Sequence, residues 1–133
     1  MSEAEHAPAP SGALALQLIA MPTDANMSGD IFGGWLMSQM DLGASVVARQ
    51  RARGRTATAS CENLQFIKPV YVGDLVSIHS WMIREGRSSM RIGVQGWARR
   101  NIFGAFVQVS SAEFTFVAID GEGRSRPLPP PEA

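Results

Sequence analysis

The sequence predicts an α+β domain in which one long helix lies against an antiparallel sheet. A glycine-rich approach from Asn26 opens onto a segment, continuing to Arg49, that is apolar on nearly every side; this is the pattern of a helix at the centre of a domain rather than on its surface. From Thr56 onward the chain reads as strands separated by turn signals. At 133 residues, with 45% hydrophobic content, it forms one domain with enough apolar side chain for a core.

In chain order, residues 1–12 are rich in Ala and Pro and carry Glu3 and Glu5. Without a basic start or an apolar run they read as a disordered tail, not a signal peptide. Ala13 to Ala20 reads as the first strand, and Met21-Pro22 ends it. Thr23 to Phe32 is a loop holding Asp24, Asn26, Ser28, Gly29 and Asp30, residues that favour turns and caps. The helix is predicted over Gly34 to about Arg51, with Gly54 as its stop. Thr56 to Phe66 is the second strand, closed by Pro69 and Gly73-Asp74. Leu75 to Arg84 is the third, joined to the fourth through Glu85-Gly86-Arg87. In Ser89 to Arg99, Met90, Ile92, Val94, Gly96 and Ala98 alternate with polar residues, so one face is expected in the core and the other in water. Asn101 to Gly104 turns the chain into a last strand, Phe106 to Ile119, whose small residues Ser110, Ser111 and Ala112 are expected to let the helix lie close. Residues 127–133 form a Pro-rich tail, which leaves 13–126 as the folded domain.

Composition narrows the chemistry. Twelve basic and twelve acidic residues cancel, so no broad positive field points to nucleic acid. All the basic residues but Lys68 are Arg, which suits phosphates and carboxylates but is equally what a codon bias produces. The single Cys61 excludes an intrachain disulfide and fits a reducing cytoplasm. No apolar run reaches the roughly 18 to 20 residues of a membrane span, so no membrane insertion is expected. With only His6 and His79 there is no His pair for zinc, and His79 is unlinked to any nucleophile motif; no metal site is expected. Gly-Asp-Ile-Phe-Gly-Gly-Trp lacks the signature of a phosphate loop and the spacing of a dinucleotide fingerprint.

What remains is carboxylate chemistry assisted by backbone dipoles. At about 100° per residue, Ser38, Asp41, Ser45 and Arg49 form one narrow polar row on the helix. Asp41 reads either as a general base or nucleophile, or as the solvated edge of an amphipathic helix. Gly33 and Gly34 let a ligand approach the free N–H groups at the helix start, an oxyanion or phosphate site. Asn26 and Asp30 fit turn caps, and Gly86-Arg87-Ser88-Ser89 fits either a phosphate cradle or an ordinary hairpin turn. Trp35, Trp81 and Trp97 read as packing residues.

A series of ordered motifs resembles one family. Met21-Pro22, Asn26, Gly29-Asp30-Ile31-Phe32-Gly33-Gly34-Trp35 and Met37-Ser38-Gln39-Met40-Asp41 are followed by Asn63 and Phe66-Ile67-Lys68-Pro69. Val72-Gly73-Asp74, Gly86-Arg87-Ser88-Ser89 and Phe114-Thr115-Phe116-Val117-Ala118 complete the series. Together, from about Leu14 to Arg126, they are similar to the YciA-type hotdog-fold acyl-CoA thioesterases. The resemblance implies a hotdog fold, an antiparallel sheet of order 1-3-4-5-2 wrapped around the central helix. It also implies pairing of second strands into a dimer, assembly as a trimer of dimers, and active sites between the two subunits. It casts Asp41 as the catalytic carboxylate, acting on water or by direct attack, Gly34 N–H as the thioester oxygen's donor and Asn26 as an assisting polar residue. Gly86, Arg87, Ser88 and Ser89 would border the pantetheine and phosphate channel, with Gly33 beside the substrate and Lys68, Arg124 and Arg126 available to phosphates. CoA would be part of substrate and product, with no separate cofactor. The resemblance is loosest at Met27-Ser28, Leu42-Gly43-Ala44 and the basic stretch Arg51 to Arg55.

The expected function is hydrolysis of acyl-CoA to a carboxylic acid and CoA. A non-catalytic acyl-CoA-binding module is the rival. A hydratase of the same fold would want a His beside the acid, and the helix carries none.

Overall fold

The computed structural model describes residues 9–132. The first eight residues of the expected tail 1–12, and Ala133, lie outside them. The elements are β1 (Ala13–Ile19), α1 (Gly33–Ala52), β2 (Thr56–Phe66), β3 (Leu75–Glu85), β4 (Ser89–Arg99) and β5 (Phe106–Ala118), with single 3₁₀ turns at Pro22–Asp24 and Arg100–Ile102. The strands form one antiparallel sheet in the order β1-β3-β4-β5-β2, with β1 and β2 at its edges. Among the described residues no helix is long and apolar enough to cross a membrane.

The helix packs through Leu36, Met40, Gly43, Ala44, Ala48 and Ala52, a stripe at spacings of three and four that is buried against the sheet. Facing it are Val76 and Ile78 of β3, Met90, Ile92, Val94 and Ala98 of β4, and Ala112, Phe114 and Phe116 of β5. Burying a side chain the size of Leu36 or Met40 contributes about 1.5–3 kcal/mol. The closest approach lies at mid-helix: a Cβ on Gly43 would stand 2.4 Å from Ile78 Cγ2, and the Ser80 hydroxyl donates to the Gly43 carbonyl at 3.0 Å.

Four expectations change. The helix is apolar on its outer face but is not buried there, with Leu42 55% and Val46 36% exposed; within one chain only the sheet side is covered. The close approach of the helix is not made by the small residues of β5 alone; Gly43 of α1 sits against Ile78 of β3, while Ser110 lies opposite Gly96 under Leu36. The helix ends not at Gly54 but at Arg53, which takes the left-handed conformation (φ 54°) and returns its N–H to the Arg49 carbonyl at 2.7 Å. The outward face of β4 is not wet throughout. The Trp81 ring covers Gly93, where a Cβ would fall 2.3 Å from ring carbons. Trp97, 1% exposed, stacks on Phe106 with ring centroids 5.0 Å apart and donates its indole N–H to Gln95. Further along that face Arg91 bridges Glu113 and Glu62, tying β4, β5 and β2 together.

β2 is an exposed edge strand with two irregularities in its pairing to β5. Thr58 faces Phe116 and Ser60 faces Thr115, so Ala59 is an extra residue. The second bulge contains Asn63 at φ 56°, a conformation that Asn tolerates better than most residues. The proline-rich end of the chain is tied back onto the domain: Leu128 N–H donates to the Arg87 carbonyl at 2.8 Å, and Arg51 donates to the Pro129 carbonyl at 2.7 Å.

Candidate active site

One row of the helix and one stretch of β2 enclose a cleft of about 350 Å³. The helix contributes Gly34, Met37, Ser38 and Asp41, at spacings of three and four along one face. The strand contributes Thr58, Ala59, Ser60 and Cys61, and Phe114 of β5 forms the floor. Phe116 and Phe114 both point toward the helix, so their partners Thr58 and Cys61 do too, although they are three residues apart. In a regular strand an odd separation would send them to opposite faces; the bulge at Ala59 brings both to the cleft.

The Thr58 hydroxyl donates to Asp41 Oδ1 at 2.7 Å. Asp41 Oδ2 has no hydrogen-bond partner among the described residues, which leaves one carboxylate oxygen for a ligand or water. At the helix start the N-cap residue Phe32 supplies no side-chain cap, and the Gly33 and Gly34 N–H groups have no intramolecular acceptor among the described residues. A Cβ on Gly34 would meet nothing within 4 Å, so the cleft is open there. Burial, then the charges of Asp41 and Glu62, push the Cys61 thiol above its ordinary pKa. Cys61 therefore sits in the cleft as a protonated thiol at neutral pH.

The expected site residues fall into separate groups within one chain. Asp41 and Gly34 share the cleft. Gly33 and Lys68 instead line a neighbouring cleft of about 260 Å³ with Phe32, Leu36 and Phe66. Asn26 joins neither, since its side-chain oxygen accepts from Ser28 and Asp30 N–H at 2.9 and 3.1 Å and closes its own loop. Ser45, in the polar row, donates its hydroxyl to the Leu42 carbonyl at 2.6 Å.

Gly86, Arg87, Ser88 and Ser89 form the β3–β4 turn at the end of the sheet where the helix terminates. Register places them: Ser89 pairs with Val117, and Val117 with Ala57 near the start of β2. Thr58 and Met90 flank Phe116 on either side, so cleft and turn are about two strand spacings, or roughly 10 Å, apart across the sheet. Arg124 is beside this turn's end of the sheet and 79% exposed, with the Glu122 carboxylate 3.7 Å away. Arg126 is engaged with the scaffold: its guanidinium donates to the Ile119 and Ala52 carbonyls, both at 3.0 Å. Asp120 organises the loop carrying Arg124, and the N–H groups of Arg124 and Glu122 hold its carboxyl below the usual range.

Sequence reasoning assigns none of Thr58, Cys61, Met37 and Phe114 to the site: Cys61 is read only for its redox state, Met37 and Phe114 only as members of motifs, and Thr58 only as part of a strand. The signal was weak, because Ala-Thr-Ala-Ser-Cys contains no glycine to announce a bulge.

The thioesterase superfamily profile matches residues 28–103. The acyl-CoA thioester hydrolase YciA of Escherichia coli (strain K12) is 42% identical over 123 residues, covering 90% of this chain and 93% of its own. The hexameric thioesterase y2039 from Yersinia pestis is 42% identical with a TM-score of 0.88, covering 92% of this chain and all of its own. HI0827, a hexameric broad-specificity acyl-coenzyme A thioesterase solved as an aspartate-to-alanine mutant, is 45% identical with a TM-score of 0.86, covering 90% of this chain and 88% of its own. With the five-stranded sheet, the central helix and this degree of identity along the folded chain, the protein belongs to the YciA-type acyl-CoA thioester hydrolases of the hotdog-fold thioesterase superfamily.

Proposed function

We propose that the protein hydrolyses acyl-CoA to a free carboxylic acid and CoA, with Asp41 as general base and the Gly34 N–H as oxyanion donor. The observation that carries this reading is a carboxylate with one uncommitted oxygen in an open cleft against the exposed edge strand β2, on a helix whose N-terminal donors are unpartnered among the described residues. Asp41 Oδ2 takes a proton from water, and the water oxygen adds to the thioester carbon. The resulting oxyanion is held by N–H, and the C–S bond breaks to release CoA thiolate, which is then protonated. Thr58 keeps the carboxylate oriented through Oδ1. Direct attack by Asp41 Oδ2 on the thioester carbon is the variant of this mechanism. The reaction as proposed draws on no cofactor beyond the CoA of the substrate.

The spacing of Gly34 and Asp41 bears on assembly. Seven residues of helix separate them, about 10 Å along the axis. Both groups must come within about 3 Å of the same carbonyl group to act on it. A reacting pair therefore consists of Gly34 from one copy and Asp41 from another. We propose a dimer built through the exposed edge of β2 and assembled as a trimer of dimers. The hexameric state of the Yersinia and HI0827 proteins supports this assembly. Asn26, turned to its own loop, would assist only from the second copy, and Lys68, Arg87 and Arg124 are the cations proposed for CoA phosphates. Gly33, Gly86, Ser88 and Ser89 supply main-chain and hydroxyl groups beside the substrate. Arg126 would contribute to phosphate binding mainly through charge, since two of its five N–H donors are committed to the Ile119 and Ala52 carbonyls.

The test is thiol release from short, medium and long acyl-CoAs by wild type and Asp41→Asn. The expected result is turnover by wild type and a loss of about 10²-fold or more in kcat for the variant, with CoA binding retained. Binding without thiol release by wild type on every substrate would transfer the reading to an acyl-CoA-binding module.

A further inference from the structure

The β3–β4 turn is held from three directions. Within it, Gly86 N–H donates to the Ser89 carbonyl at 2.8 Å. From β5, Ala118 N–H donates to the Ser88 carbonyl at 2.9 Å, and from the proline-rich end Leu128 N–H donates to the Arg87 carbonyl at 2.8 Å. Of residues 127–131 only Leu128 has a main-chain N–H to give, so this segment cannot hold its place by a ladder of its own.

A side chain does the holding. Arg51, in the last turn of α1, donates Nε–H to Glu85 Oε2 at 2.8 Å and Nη1–H to the Pro129 carbonyl at 2.7 Å. Glu85 is the last residue of β3, immediately before the turn; Pro129 follows the residue that grips Arg87. One planar fork thus joins the strand entering the turn to the segment covering it, and a guanidinium fixes that spacing more rigidly than a point charge would. The Arg51 side chain is 19% exposed, while Arg87 projects into solvent and forms no ion pair among the described residues.

We propose that Arg51 is a positioning residue for the nucleotide end of acyl-CoA. By clamping Glu85 to Pro129 it sets the shape of the Gly86–Ser89 turn and the direction of the Arg87 side chain, without touching substrate. This rests on the reading of that turn as the coenzyme's phosphate channel.

The experiment compares acyl-CoA with the same acyl group on N-acetylcysteamine, which has no nucleotide, in the full-length chain. The variants are Arg51→Met, Glu85→Ala, which severs the other side of the clamp, Arg87→Ala and the Arg51/Arg87 double. The expected result is a rise of about 5- to 20-fold in KM for acyl-CoA in each single variant, and for Arg51→Met and Glu85→Ala a kcat within about twofold and unchanged hydrolysis of the N-acetylcysteamine thioester. Adding Arg51→Met to Arg87→Ala is expected to change KM by less than about twofold, because both act through one contact. If Arg87→Ala raises KM while Arg51→Met and Glu85→Ala do not, the clamp is scaffold only and the inference falls, with the channel reading intact. If Arg87→Ala also leaves KM unchanged, the channel reading fails and takes the inference with it. A parallel loss on both substrates overturns the inference as well, since it reports general damage to the fold.

Discussion

The two ends of the central helix are built on opposite terms. At the N-terminal end no side chain caps the helix, and Gly33 and Gly34, whose N–H groups have no acceptor among the described residues, line two clefts. At the C-terminal end Arg53 turns left-handed to return its N–H to Arg49, Arg126 donates to the Ala52 carbonyl, and Arg51 anchors the chain terminus. Unpartnered donors are what an anion or oxyanion needs, and they lower stability. The well-supplied end offsets that cost and keeps the helix in place while the N–H groups at its other end stay without acceptors among the described residues.

The largest expected effect breaks the open end. Gly34→Pro removes the proposed oxyanion N–H at a first-turn position where proline is tolerated, and is expected to lower kcat about 10²- to 10³-fold with the fold retained by circular dichroism. Mixing it with Asp41→Asn sharpens the point. If the reacting pair spans two copies, random reassociation restores about a quarter of wild-type activity: half the dimers are mixed, and each has one intact site. No recovery would place both groups within a single chain.

At the closed end the reverse pattern is expected. Arg126→Ala leaves the Ala52 and Ile119 carbonyls without their donors and should cost about 1–3 kcal/mol of stability in chemical denaturation, with kcat unchanged. A fall in kcat without loss of stability would contradict the division of labour. A smaller, several-fold effect tests the electrostatics of the cleft. Asp41→Asn removes one charge that raises the Cys61 pKa, so more thiolate forms at a given pH and alkylation by iodoacetamide at pH 8 should quicken. An unchanged rate would separate Cys61 from Asp41. The smallest expected change is a gain: Arg53→Gly relieves the left-handed residue and should stabilise by up to about 1 kcal/mol, read as a modest rise in Tm.

These contrasts also separate what was legible in the sequence from what was not. The alternation of Met90 to Ala98 and the apolar spacing of α1 gave the strands and helix close to their observed limits, because periodicity reports which face is buried. Sheet order came from the ordered family motifs, since pattern alone does not say that β1 pairs with β3 or β5 with β2. Asp41 stood out because a carboxylate in an apolar segment is expensive to ignore. Thr58 did not, because its meeting with Asp41 depends on a bulge with no glycine signature. Arg126 read as a free cation because its acceptors are main-chain carbonyls, which every residue has and sequence does not distinguish.

A helix is a rotor as well as a rod, and slippage by one residue would turn it about 100°. Such a turn would swing Asp41 away from Thr58 and carry Leu42 toward the cleft. Gly43, keyed against Ile78 with its carbonyl latched by Ser80, fixes the angular setting two residues beyond Asp41. The bearing of the carboxylate is therefore governed from the far side of the helix, at a contact buried against the sheet.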